Sequence, residues 1–183
     1  ENWNTWIDIS TSEYALQKNK DLVIQALKDK TKGSKHAPPE GPMTECADVP
    51  DDTYIDGKRA TRAIQVLDQL AKDGEKPFFL AVGFTKPHLP FVAPKKYWDL
   101  YERESFSMPP NSGRPPEWPE DAAFTKANEM QRYVDYVGDG PKDFPQSLNK
   151  KLLHGYAAAA SFVDANVGRV LDALDEKGLA DNT

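Results

Sequence analysis

The sequence has one cysteine in 183 residues, Cys46 in "TECADVP", so no disulfide can close within it. A lone thiol of this kind reads as inert or buried, and it leaves the redox compartment undetermined. Histidine is also scarce, with three in the chain, and His36 in its Pro/Lys loop has no partner at metal-ligand spacing. There is no Cys/His zinc pattern and no Gly-rich phosphate loop. No stretch approaches the ~20 apolar residues of a membrane-crossing helix, so no membrane span is expected. Positive charge is not in excess: 23 Lys and Arg against 29 Asp and Glu give a net charge of −6, with the signs interleaved. That balance argues against nucleic acid as a partner, and any anion site must be local. The first residues, "ENWNTWIDIS", lack an initiator Met and the basic and apolar regions of a signal peptide.

What is present suits one globular body, since 39% of residues are hydrophobic and the length is that of a typical domain. Residues 1–50 read poorly: "ALQKNKDLVIQALKDK" fits a short helix around Leu22 to Leu27 or a hairpin turning at Lys18 to Lys20. "KHAPPEGPM" is loop, because its prolines remove donors and bias the residues before them away from helix. From Asp56 the pattern sharpens. Ala60, Ala63, Ile64, Leu67, Leu70 and Ala71 recur at helical spacing, which predicts an amphipathic helix over 56–73 stopped by Gly74. "PFFLAVGF", 77–84, is an unbroken apolar run, the form taken by a strand covered on both faces of a parallel sheet.

Residues 86–120 hold 8 of the 15 prolines together with Trp98 and Trp118, which predicts a long ordered loop with one helical turn near 95–102. The last helix is expected over 147–177, with an apolar stripe of Leu152, Leu153, Tyr156, Ala160, Val163, Val167, Val170, Leu171 and Leu174, and Gly178 as its stop. Four alanines, 157–160, suit close packing. One convincing strand cannot make a parallel sheet, so the sequence reads as an internal fragment of a larger α/β protein.

The chemistry concentrates in "FTKPHLPF", 84–91, at the exit of the predicted strand. Ligands of open α/β sheets bind beyond the carboxyl ends of the strands, where Lys86 and His88 would sit. Pro87 and Pro90 predict a stiff, extended "KPHLP", and in an extended segment residues i and i+2 share a side. Lys86 and His88 would then face one region and suit an oxyanion such as sulfate or phosphate. Local residue types alone favour a proline-rich turn with a solvated lysine and a histidine capping a backbone carbonyl.

"KPFFLAVGFTKPHLPFVAPKKYWDLYE" resembles the corresponding stretch of type I sulfatases, most of all the iduronate sulfatase-like branch. "ADVPDDTYIDGKRATRAIQVLDQL" before it and "KLLHGYAAAASFVDANVGRVLDALDEKGLADNT" after it agree in order and spacing. The resemblance implies an alkaline phosphatase-like α/β fold, a large sheet flanked by helices and present only in part, with residues 1–183 an internal piece of the N-terminal catalytic domain. It implies a sulfuric ester hydrolase acting on a sulfated small molecule or glycan. His88 matches the family's sulfate-contacting histidine and is the catalytic candidate; Lys86, its neighbour, would either bind substrate or only shape the loop, since the family's established catalytic lysines lie in other motifs. Thr85 stands where this branch often has histidine. The family's formylglycine, made from the cysteine of Cys-x-Pro-Ser-Arg, and its calcium ligands belong to motifs that do not occur in this sequence, so both are expected of the parent protein and neither of this chain.

Asp51 and Asp52 precede the helix at 56–73 without an apolar strand before them, which favours a capping or structural role over a metal pair. His154 reads as packing or surface, and Asp164 and Arg169 as a structural link or surface charge. The parent is expected to be exported. A phosphodiesterase or phosphonate hydrolase of the same superfamily, or a non-catalytic module, remains open.

Overall fold

The computed structural model describes residues 13–29, 39–72, 76–108, 110, 129–138 and 144–183. Its elements are helix α1 (Gln17–Asp29), strand β1 (Thr44–Ala47), helix α2 (Ile55–Lys72), strand β2 (Phe91–Pro94), helix α3 (Lys95–Trp98) and helix α4 (Gln146–Glu176). Short 3-10 turns lie at Asp51–Thr53, Arg103–Ser105, Met130–Arg132 and Ala180–Asn182. His36, the stop at Gly74 and Trp118 fall outside the described residues.

Of the two readings of the first segment, helix is the one adopted. α1 begins where Glu45, 2% exposed on β1, accepts hydrogen bonds from the Ala15 and Leu16 N–H groups at 2.6 and 3.1 Å. The same carboxylate accepts from Asn19 Nδ2 and Tyr54 Oη, both at 2.7 Å. Four donors around one buried acid compensate its lost hydration, and the helix N-terminus favours its charge.

α2 starts within a residue of its predicted position and buries Ala60, Ala63 and Leu67 at helical spacing. Gly57 in its first turn lies against backbone, since a Cβ there would meet the Asp51 carbonyl oxygen at 2.1 Å. α4 also matches its predicted bounds. It ends as α-helices with a left-handed glycine do: Gly178 has φ +65, its N–H reaches the Asp175 carbonyl at 3.0 Å, and the Leu179 N–H reaches that of Leu174 at 2.9 Å.

The buried face of α4 differs from the expected stripe. Gly155, Ala158, Ala159, Phe162, Asn166 and Ala173 face inward, while Tyr156, Val167 and Leu171 are 51%, 40% and 54% exposed. Small residues win the inner face because the helix lies close to the strands: a Cβ on Gly155 would come within 2.9 Å of the Trp98 ring and 3.0 Å of Phe91 Cβ.

The strands also differ from expectation. β1 and β2 pair in parallel, with Thr44 opposite Phe91 and Ala47 opposite Pro94, and α2 lies in the connection between them. Residues 77–84 form no ladder among the described residues, although their burial alternates with the period of two seen in strands. A strand is completed by a neighbouring ladder, and among the described residues no strand pairs with this segment. Phe79 is 77% exposed there.

One core cluster gathers Tyr14, Ala47, Tyr54, Val92, Ala93, Tyr97, Trp98, Ala158 and Phe162 beneath α4. A second cluster joins Met43, Tyr133, Tyr136 and Phe144, with Leu89, Met130, Leu148 and Leu152 packed against it. Leu89 thereby anchors the loop that leads into β2. No helix among the described residues is long and apolar enough to cross a membrane.

Candidate active site

The loop from Thr85 to Pro90 is held from α2. Asp56, in the first turn of that helix and fully buried, accepts the Thr85 N–H at 2.9 and 3.0 Å and the Lys86 N–H at 2.8 Å. Arg59, one turn on, pairs with Asp56 at 3.0 Å and donates to the Thr85 hydroxyl. Thr85, at the branch-variable position, is thus tied to α2 through both backbone and side chain.

Beyond Thr85 the chain turns instead of running extended. The His88 N–H donates to the Thr85 carbonyl at 3.1 Å, and both the Lys86-Pro87 and Leu89-Pro90 peptide bonds are cis. The turn separates the two side chains expected to share a side. Lys86 points inward, its side chain 1% exposed, with Nζ donating to the carbonyls of His88 at 3.2 Å and Pro90 at 2.8 Å, and lying 3.6 Å from the Glu13 carboxylate. Burial lowers its pKa below the ordinary lysine value, opposed by the nearby Glu13 and Asp56 charges.

His88 points outward with its side chain 59% exposed. Nδ1 lies 2.7 Å from the Leu89 carbonyl oxygen, which can only accept, so Nδ1 carries the proton and the ring orientation is set. Nε2 is left facing outward, 3.4 Å from Glu129. A ring oriented in this way can offer Nε2 to an oxyanion, and its protonated form would donate there.

Sequence reasoning singled out His88 and missed Asp56, Arg59 and Glu129. Asp56 reads only as a helix-start acid; its burial against the loop depends on where residues 85 and 86 return. Glu129 is brought to His88 across 41 positions of sequence, which no local pattern reveals.

Asp51, Asp52, Arg169 and His154 make structural contacts. Asp51 pairs with Lys96 at 2.8 Å and accepts from Tyr97 Oη at 2.9 Å. Asp52 accepts from Thr61 Oγ1 at 2.9 Å and meets Arg169 at 3.4 Å. Arg169 also donates to Asn166 and Thr61, tying α4 to α2, while Asp164 is exposed. His154 is packed beside Trp98, its Nε2 proton directed to the Trp98 carbonyl at 2.8 Å, with Nδ1 accepting from Arg103 Nε at 3.4 Å.

The residues present do not fit the formylglycine or the calcium of the resembling family. Cys46 is an exposed residue of β1 followed by Ala-Asp-Val-Pro, and partial burial pushes its thiol pKa up, away from the reactive thiolate. Asp51 and Asp52 already serve lysine, tyrosine, threonine and arginine. Among the described residues, no group of three or more His, Cys, Asp and Glu side chains could hold a metal ion.

The sulfatase family model matches residues 2–183. The chain is 36% identical over 144 residues to iduronate 2-sulfatase of Mus musculus, covering 76% of this chain and 26% of that protein. It is also 36% identical over 144 residues to iduronate 2-sulfatase of Homo sapiens, covering 74% and 25%. A sulfatase of Formosa agariphila is 35% identical over 128 residues, covering 64% and 22%. The chain therefore spans about a quarter of the length of these relatives. A match across nearly every residue, through the helices that pack against the sheet and the loop that carries His88, places the chain in the sulfatase family.

Proposed function

We propose that the protein of which this chain forms part of the catalytic domain hydrolyses sulfate monoesters, with His88 hydrogen-bonding a sulfate oxygen through Nε2. The supporting observation is an exposed imidazole whose ring is oriented by the Leu89 carbonyl and whose turn is anchored on its inner side. With the ring protonated at both nitrogens, Nε2 is a preorganised donor: little ordering remains to be done when the sulfuryl oxygens arrive or when charge builds in the transition state. Lys86, with its ammonium turned inward, supports the turn. The chemistry of the nucleophile and the metal belongs to segments of the family outside this sequence, and no step is assigned to them.

The substrate class proposed is a sulfated sugar within a glycan, following the ester named for the mammalian relatives. The parent is proposed to be exported. Assay of the full-length protein on aryl sulfate and aryl phosphate esters tests the reading: preferential turnover of the sulfate supports it. Turnover of phosphate or phosphonate esters alone would replace it with a phosphohydrolase of the same superfamily. The 183-residue polypeptide on its own should hydrolyse neither.

A further inference from the structure

We infer that Asp56 and Lys86 are positioning residues that brace the His88 turn from opposite ends, Asp56 at its stem and Lys86 from its interior. The inference rests on the proposed role of His88 and adds the residues through which that role is maintained.

At the stem, the Asp56 carboxylate takes two successive backbone N–H groups, those of Thr85 and Lys86, and is itself held by Arg59. Because Asp56 belongs to the first turn of α2, the stem is tied to a long helix packed against α4. In the interior, the Lys86 ammonium draws together the carbonyls on either side of Leu89, those of His88 and Pro90, while its third proton faces Glu13. Of the three donors of an ammonium, two are spent on these carbonyls, and a carboxylate lies 3.6 Å away. With its side chain 1% exposed, Lys86 has no open face for a ligand, so the substrate contact expected from the sequence gives way to support.

The turn closes on itself between the two braces. The backbone N–H of His88 is bonded to Thr85, its carbonyl to Lys86, and its ring to Leu89. Rotating the His88 peptide would leave a buried ammonium short of an acceptor, and releasing the stem would leave a buried carboxylate short of two donors. Each brace thus fixes where Nε2 points. Misplacement of a catalytic contact by about 1 Å can cost on the order of 10²-fold in rate.

The test is a pair of mutant cycles in the full-length protein, with 4-nitrophenyl sulfate as probe and rates expressed per folded molecule from circular dichroism. His88→Ala is combined with Asp56→Asn in one cycle and with Lys86→Met in the other. Each brace substitution alone should lower kcat by roughly ten- to a hundredfold with KM little changed, as expected when a contact made in the transition state is lost. In the His88→Ala background each should cost less than about threefold more, since the group being positioned is gone. An effect on turnover that does not act through His88 predicts losses of equal size in both backgrounds, and that result overturns the inference. So does unchanged kcat in both single brace variants. If His88→Ala itself leaves turnover unchanged, the functional reading fails and the inference fails with it. The braces enter from different elements, so either cycle decides the matter where the other variant does not fold.

Discussion

Gly57→Ala is a stringent test of how α2 is seated. A Cβ at this position would lie 2.1 Å from the Asp51 carbonyl oxygen, 2.4 Å from its carbonyl carbon and 2.9 Å from the Asp52 nitrogen. Carbon atoms in contact sit at about 3.5–4.0 Å, so the 3-10 turn at Asp51–Thr53 must retreat by about 1 Å or more. The obstacle is backbone, and no side-chain rotation relieves it. The retreat would disturb the Asp51 contacts with Lys96 and Tyr97 and those of Asp52 with Thr61 and Arg169. Overpacking costs about 1–3 kcal/mol, and alanine returns up to about 1 kcal/mol through helix propensity. Because the clash is with fixed atoms, the upper part of the range applies, for a net loss of ~2 kcal/mol. At about 2–4 °C per kcal/mol for a domain of this size, Tm should fall by roughly 4–8 °C in a thermal melt followed by circular dichroism. Gly168→Ala, the same change where no atom lies within 4 Å, serves as the control and should not lower Tm. A Gly57→Ala protein melting at or above the wild-type temperature would refute the reasoning.

Glu45→Gln replaces an acceptor-only carboxylate with a group bearing two donors, facing the N–H groups of Ala15 and Leu16, Asn19 Nδ2 and Tyr54 Oη. It should destabilise by ~1–3 kcal/mol and release amide protection across the start of α1 in hydrogen exchange; unchanged protection would contradict the capping role. Burial raises the phenol pKa values of Tyr14, Tyr54 and Tyr133 above the ordinary 10.0, with the Glu45 hydrogen bond adding to the effect at Tyr54. Above pH 10 the unfolded chain then loses phenol protons that the folded chain retains, so their contribution is complete below pH 10 and declines as pH rises further. Phenolate absorbance should appear together with loss of the circular dichroism signal; smooth titration of all the tyrosines in a chain still folded would contradict their burial.

Helices α2 and α4 were legible because their period persists over four turns or more, and the glycine that stops α4 is a local signal. The sheet was not. "TECA" and "FVAP" are four-residue strands, one bearing a buried glutamate and the other ending in proline, and neither pattern stands out from loop. "PFFLAVGF" carries the strongest strand signal, yet a strand is completed by partners, and among the described residues it has no ladder. On α4, side-chain size misled: the large residues were taken for the inner face, whereas close approach to Trp98 and Phe91 selects Gly155 and its small neighbours. The loop that carries His88 stood out through its family pattern, and the structure places that side chain outward at a turn. The inward turn of Lys86 was not legible, because both readings of the loop, extended or turned, left the lysine open to ligand or solvent, whereas its ammonium is drawn to the His88 and Pro90 carbonyls.

Steady-state hydrolysis of an aryl sulfate by the full-length protein carrying His88→Ala tests the central claim most directly. Loss of one preorganised donor to the sulfuryl group should lower kcat by about 10²–10³-fold while the protein stays folded, because the imidazole is exposed and its removal leaves no cavity in either core cluster. Turnover within about threefold of wild type would contradict the claim that His88 acts on the sulfate group.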